Sequence, residues 1–356
     1  METLKLFKEH LTTLYIEIAS GCNLNCSYCY NDSGSQKDTT LPLETIRRLL
    51  MPTGGIGRIS TIILSGGEPF LYPEISTLLA MINNLGYVLR IYTNGTLLTR
   101  ETIKMLASYR PNLQITLDSA NEETNDLYKG KGAFRKICRA LALLREEYYM
   151  ENVTVRCNLN YELLNSDTAI LDYIRLLEQL GVKVAYFALI NNQGRARSCT
   201  YPTKSVDMES LKIFRDRVLA LPHQSSLALE VPIASVCQSC PYAAVDKYQG
   251  SYLLHITPDG NVYPCSALAY TKYVLGNICQ SDISDICSGS ALRSFIESVK
   301  KRVQSNPVCS PCPYQSFCGK GCLGELPVTE NLEGVDGQCA YRKKEIAKLL
   351  REKVRG

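Results

Sequence analysis

Residues 14–18 read Leu-Tyr-Ile-Glu-Ile, an apolar, β-branched run, and the next eleven spell Ala-Ser-Gly-Cys22-Asn-Leu-Asn-Cys26-Ser-Tyr28-Cys29. A strand therefore opens directly onto a loop with three cysteines. Five more strand-like runs follow, at residues 59–64, 88–92, 113–117, 153–159 and 183–190. Stretches with helical periodicity alternate with them at 43–50, 75–85, 101–109, 134–148, 168–180 and 205–221. Six βα units with short connections give a parallel sheet. Six suit an open, partial (β/α)6 TIM-like barrel better than a closed eight-stranded one.

The unusual residues sit where such a fold builds its site, at the C-terminal ends of strands. Ser65-Gly66-Gly67-Glu68-Pro69 follows strand two and Thr93-Asn94-Gly95 follows strand three. Asp118-Ser119 ends strand four, Asn158 and Asn160 end strand five, and Asn191-Asn192 follows strand six. Six polar, Gly-rich or Cys-rich strand ends point to one shared mouth.

Cys22, Cys26 and Cys29 form CxxxCxxC. Three thiolates on one loop suit three corners of a cubane iron–sulfur cluster and leave the fourth iron open. Structural zinc wants four ligands, and the spacing differs from the CxxC pairs of zinc ribbons. A zinc or buried-cysteine loop is the competing reading.

Composition supports metal chemistry. Sixteen cysteines in 356 residues, with no signal-peptide pattern at the N-terminus, speak for metal or redox work in a reducing compartment rather than for disulfides. Three lie at 22–29 and ten between 237 and 339, which implies two metal-bearing regions. A net charge of +4 from scattered residues offers no basic stripe for nucleic acid. No apolar run reaches the roughly 18 residues needed to span a bilayer. A cytoplasmic protein acting on neither nucleic acid nor membrane is expected.

The chain resembles the radical S-adenosylmethionine (SAM) superfamily, whose three-cysteine motif follows the first strand as here. The resemblance implies that the open iron of a 4Fe-4S cluster chelates the methionyl part of SAM. Gly66, Gly67, Glu68 and Pro69 match the family's GGEP segment, beside the methionyl amino group. Thr93 and Asn94 fall where the family places polar SAM contacts. Thr116 and Asp118 match its strand-four segment near the ribose, with Thr and Ser in place of the commoner Ser and Gly, and Tyr28 joins them as a cofactor contact.

From Pro222 onward the pattern changes. Short strands are expected at 252–257 and 261–263 around an Asp259-Gly260 turn, then helices at 291–301 and 341–354. A segment this poor in long apolar runs needs metal staples. Cys309, Cys312, Cys318 and Cys322, followed by Cys339, read CxxCx5CxxxC and a distant Cys, which resembles the SPASM extension of radical SAM enzymes. Gly260-x4-Cys265 resembles that extension's strand–turn–strand element. The resemblance implies an auxiliary cluster I at Cys237, Cys240, Cys265 and Cys322, and an auxiliary cluster II at Cys309, Cys312, Cys318 and Cys339. Three 4Fe-4S clusters follow in total. Cys279 competes for a place in cluster I, and tetrahedral zinc is the alternative for the block. The domains read as a lead-in at 1–10, a radical SAM partial barrel at 11–225 and a SPASM domain with closing helix at 226–356.

SPASM-bearing enzymes mostly act on peptides or proteins. The resemblance implies hydrogen abstraction from a ribosomally synthesised peptide, with a thioether or carbon–carbon cross-link as the product. Small-molecule dehydrogenation and sulfatase maturation are the alternatives, and an iron–sulfur or zinc scaffold is the non-enzymatic one. The sulfatase-maturing group has Asp directly after the Gly-x4-Cys cysteine, where this chain has Ser266. With so short a lead-in, a separate leader-binding protein or the enzyme's own surface must recognise the peptide. An external electron donor such as flavodoxin or ferredoxin is implied. No residue is assigned as catalytic acid or base, and His10, His223 and His255 form no visible ligand set.

Overall fold

The computed structural model describes residues 2–51, 59–190, 193–199, 208–231, 240–244, 250–315, 318, 321–325, 335 and 338–355. Ten strands follow in chain order: β1 (Leu11–Ala19), β2 (Thr61–Gly66), β3 (Val88–Thr93), β4 (Asn112–Thr116), β5 (Val153–Asn158), β6 (Val184–Ala188), β7 (Ala228–Glu230), β8 (Tyr252–Ile256), β9 (Asn261–Tyr263) and β10 (Gly276–Asn277). They form one sheet in the order β10-β9-β8-β1-β2-β3-β4-β5-β6-β7. β1 to β7 are parallel, and β8 lies parallel to β1 on its free side. β9 and β10 are antiparallel additions. β7 and β10 stand at opposite edges, so the sheet is open. This is the partial (β/α)6 barrel expected, and the sheet continues past residue 225.

The helices are α1 (Glu2–His10), α2 (Leu43–Leu50), α3 (Ile75–Asn84), α4 (Arg100–Ala107), α5 (Glu122–Lys129), α6 (Ala133–Glu146), α7 (Tyr161–Asn165), α8 (Asp167–Gln179), α9 (Met208–Ala220), α10 (Ile283–Ser288), α11 (Ser290–Ser305) and α12 (Cys339–Arg355). The expected start of α9 at 205 lies outside the described residues. α1, α5, α7, α10, β7 and β10 carry no sequence expectation of their own. Among the described residues no helix is long and apolar enough to cross a membrane.

The βα units close on local signals. Thr99, Asn121, Asn160 and Ser166 accept hydrogen bonds from the first turns of α4, α5, α7 and α8, satisfying donors that a helix start leaves free. α8 ends with Gly181 at φ +76, and Val182 N donates back to Leu177 O at 2.9 Å. That left-handed step turns the chain straight into β6. α6 buries Ala133, Ile137, Ala140, Leu141 and Leu144, a one-faced stripe. The last six residues of β1 are buried without alternation, because the central strand of such a sheet is covered on both faces. Every polar strand end is thereby aimed at one side of a rigid core.

Candidate active site and cluster-binding residues

A cavity of about 430 Å³ opens at the C-terminal ends of the strands, and Cys22, Cys26 and Cys29 line it together. Burial pushes the Cys22 thiol up to about 12, and burial is also the leading cause that raises Cys26 and Cys29. Free thiols here stay protonated until a metal claims them. Leu24 N and Ser33 N donate to the sulfurs of Cys22 and Cys29 at 3.4 and 3.3 Å, and Asn94 Nδ2 reaches Cys22 Sγ at 3.7 Å. Such donors tune a cluster bound to the sulfurs. Among the described residues no three His, Cys, Asp or Glu side chains converge as ligands of a single metal ion would. Three thiols lining one cavity are the donor set that three corners of a cubane would take.

The cysteine loop is held from two sides. Gly67 N and Glu68 N donate to Ala19 O and Gly21 O at 2.7 and 2.9 Å. A Cβ on Gly67 would come within 2.0 Å of Gly21 O, so only glycine allows the end of β2 to lie against the loop. On the other side Arg195 donates to Cys26 O (2.9 Å), Asp32 (2.7 Å) and Ser33 O (2.6 Å), while its backbone N–H donates to Cys29 O. Sequence reasoning missed Arg195. Its only signal was a Gly-Arg pair after the sixth strand.

The expected SAM contacts divide into two groups. Tyr28, Gly67, Thr93, Asn94 and Thr116 line the cavity. Glu68 and Asp118 are fully buried behind it, and Pro69 is buried in the short turn that follows Glu68. Gly66, at φ +127, ends β2. Glu68 accepts from Thr93 Oγ1 (2.7 Å), Asn94 N (2.8 Å) and Phe70 N (3.2 Å). Burial nonetheless pushes its carboxyl up to about 7. Asp118 accepts from Asn158 N at 2.9 Å and from the Tyr28 hydroxyl, and it pairs with buried Lys129 at 3.6 Å. The two carboxylates orient the residues that face the cavity. Asn191 and Asn192 lie outside the described residues.

Two further cysteine groups stand in the C-terminal region. Cys309, Cys312, Cys318 and Cys339 line one small cavity. Burial, then nearby Cys322 and Cys240, push the Cys265 thiol up to about 12, so these three sulfurs lie close together. Cys237 lies outside the described residues. Cys279 is exposed and packs against the Gly260 turn, where a glycine Cβ would sit 2.7 Å from its sulfur. Cys157 and Cys287 are buried.

Glu17, at the end of β1, is a hub that the sequence did not reveal. It is fully buried and accepts from Tyr30 Oη (2.6 Å), Asn31 Nδ2 (3.3 Å), His255 Nε2 (3.0 Å) and the Tyr270 hydroxyl. Burial alone would raise its carboxyl, but His255 and the hydroxyl donors outweigh it and hold the group below the usual range. Cys29 Sγ meets Asn31 Oδ1 at 2.9 Å, so the hub connects to the cysteine loop.

Comparison with known proteins agrees with this arrangement. The Radical SAM superfamily model matches residues 16–177, and the SPASM iron–sulfur cluster-binding domain model matches residues 248–313. The chain is 25% identical over 342 residues to the antilisterial bacteriocin subtilosin biosynthesis protein AlbA of Bacillus subtilis, covering 92% of this chain and 68% of AlbA. It is also 25% identical to the AdoMet-dependent heme synthase of Methanosarcina barkeri, covering 92% of this chain and 95% of the synthase. Streptococcus suis SuiB bound to precursor peptide SuiA shares the fold, with TM-score 0.70, 18% identity and coverage of 93% of this chain and 76% of SuiB. Iron–sulfur and SAM are the cofactors these domains imply. The chain is an enzyme of the radical SAM superfamily and carries a SPASM domain.

Proposed function

We propose that the chain cleaves SAM reductively and abstracts a hydrogen atom from a ribosomally synthesised peptide, forming a thioether or carbon–carbon cross-link. The observation that carries the cofactor chemistry is that Cys22, Cys26 and Cys29 line one cavity of about 430 Å³ together with Thr93, Asn94 and Thr116. Cys22, Cys26 and Cys29 would hold a 4Fe-4S cluster, which would supply the one-electron reduction of SAM needed for hydrogen abstraction from an unactivated C–H bond. The chain's own task is to hold, orient and seclude. Gly67 brings backbone to the cavity edge, Glu68 fixes Thr93 and Asn94, and Asp118 fixes Tyr28. Tyr15, Tyr92, Ile63 and Leu253 supply an apolar and aromatic wall that excludes water.

Cys309, Cys312, Cys318 and Cys339 are assigned to one auxiliary cluster, and Cys240, Cys265 and Cys322 with Cys237 to the other. Anaerobically reconstituted protein should then hold about twelve iron atoms. About four iron, or stoichiometric zinc, would contradict the assignment.

The peptide reading is supported by the resemblance to AlbA, named for subtilosin biosynthesis, and to SuiB, solved with its precursor peptide. A small-molecule substrate is favoured by the heme synthase, which matches at equal identity and over nearly its whole length. Co-expression with a short peptide encoded beside this gene separates them. The first reading requires a peptide lighter by a pair of hydrogens, dependent on Cys26. An unmodified peptide alongside a desaturated or decarboxylated small molecule favours the second.

A further inference from the structure

The cavity shared by Cys22, Cys26 and Cys29 is lined by three cations and, among the described residues, by no carboxylate. Two of the cations are matched. Lys129 pairs with Asp118 at 3.6 Å, and Arg195 pairs with Asp32 at 2.7 Å. Arg156, on β5, is half-buried and forms no ion pair among the described residues.

Its guanidinium is nonetheless held in place. Arg156 Nε donates to Asn158 Oδ1 at 3.1 Å, and its Cζ lies 6.0 Å from the centre of the Tyr186 ring. Thr116 on β4 and Tyr186 on β6 stand opposite Arg156 in register, so all three share one face of the sheet. Nη1 and Nη2 have no hydrogen-bond partner among the described residues. The next residue along that row is Glu230 on β7, which is exposed and makes no ion pair with Arg156. Arg90 adds a second positive charge. Burial raises the hydroxyl of the cavity-lining Tyr92, and Arg90 and Arg156 both act to lower it, so both cations lie near this ring.

A guanidinium keeps its charge at every working pH and carries its free donors in a planar fork. Half-buried and unmatched, such a charge is costly. A carboxylate that takes two prongs at once relieves it, and an alkyl or neutral amide group does not. The methionyl part of SAM belongs, under the proposed function, to the iron held by the loop after β1. β2, β3 and β4 lie between that strand and β5.

We propose that Arg156 is a specificity-determining residue of this cavity and takes a carboxylate of the substrate in a two-pronged ion pair. The proposal rests on the cavity being the substrate site. The carboxylate belongs to an Asp or Glu side chain of a peptide or to a free organic acid. Asn158 and Tyr186 position the fork that receives it.

The test is isothermal titration calorimetry on the anaerobic, iron-loaded protein, with SAM present and no reductant. The probes are N-acetylglutamate α-amide, its neutral glutamine counterpart and glutarate. The glutamate probe is expected to bind at least about tenfold more tightly than the glutamine probe, and to lose that advantage in Arg156→Gln and most of it in Arg156→Lys. Tighter binding of the glutamate probe than of glutarate supports the pair with a peptide side chain as its source, and the reverse order supports it with a free acid. Equal binding of glutamate and glutamine probes, no binding of any probe, or an undiminished preference in iron-loaded Arg156→Gln overturns the proposal. If neither variant keeps its iron, phenylglyoxal labelling of the wild type, mapped by mass spectrometry, decides instead. Arg156 should be labelled and the glutamate probe should shield it; an unlabelled or unshielded Arg156 overturns the pair. Release of 5′-deoxyadenosine by the wild type is scored separately, so its failure strikes the proposed function and not Arg156.

Discussion

Glu68, which the family resemblance sets beside the methionyl amino group of SAM, is fully buried and bonded to Thr93, Asn94 and Phe70. The glycine pair before it brings the end of β2 against the cysteine loop, at Ala19 and Gly21. Gly67→Ala should displace that loop and lose about a third of the bound iron while auxiliary iron stays, checked by iron analysis and Mössbauer spectroscopy. Burial gives Glu68 a proton affinity above its unfolded value, from 4.5 to about 7. Between those pH values the native state holds a proton that the unfolded state has released. Stability contributed by this group is therefore complete below pH 4.5 and lost as pH rises through about 7. Urea unfolding under argon should show the wild type losing stability relative to Glu68→Gln across that window; parallel curves would contradict it. His255 and Glu17 escaped the sequence reading because their pairing crosses 238 residues. Cysteine spacing, by contrast, is local and was legible.

At the level of elements, the six βα units were legible because each strand is apolar and each helix carries a stripe. α5 was not, for a physical reason. Its buried residues are Asn125 and Lys129, while Leu127 is 73% exposed, so the helix carries no apolar stripe for a periodicity reading to find. It is held by the Asn121 cap and by the Lys129 pair with Asp118. Lys129→Met should therefore leave Asp118 buried without its cation and cost about 3 kcal/mol or more of stability, measured by urea unfolding. The short turn at Gly194–Arg197 works in the same way, as a polar clamp on the cysteine loop. Arg195→Ala should speed loss of the first cluster to a chelator while leaving auxiliary iron unaffected. Equal loss from all sites would contradict the clamp.

On the scale of the whole molecule, β8 seats a segment from the cysteine-rich region directly against β1. One strand pair thereby ties Cys265 and Ser266 to the mouth that holds Cys22, Cys26 and Cys29. The composition change after residue 222 was readable, but this docking was not, since parallel pairing between distant strands leaves no local signature. The cofactor claim is the one on which the rest depends. Anaerobically reconstituted protein with SAM and dithionite should release 5′-deoxyadenosine and methionine in equal amounts, and Cys26→Ala should release neither. Continued release from Cys26→Ala, or none from the iron-loaded wild type, would contradict the assignment of Cys22, Cys26 and Cys29 to a SAM-cleaving cluster.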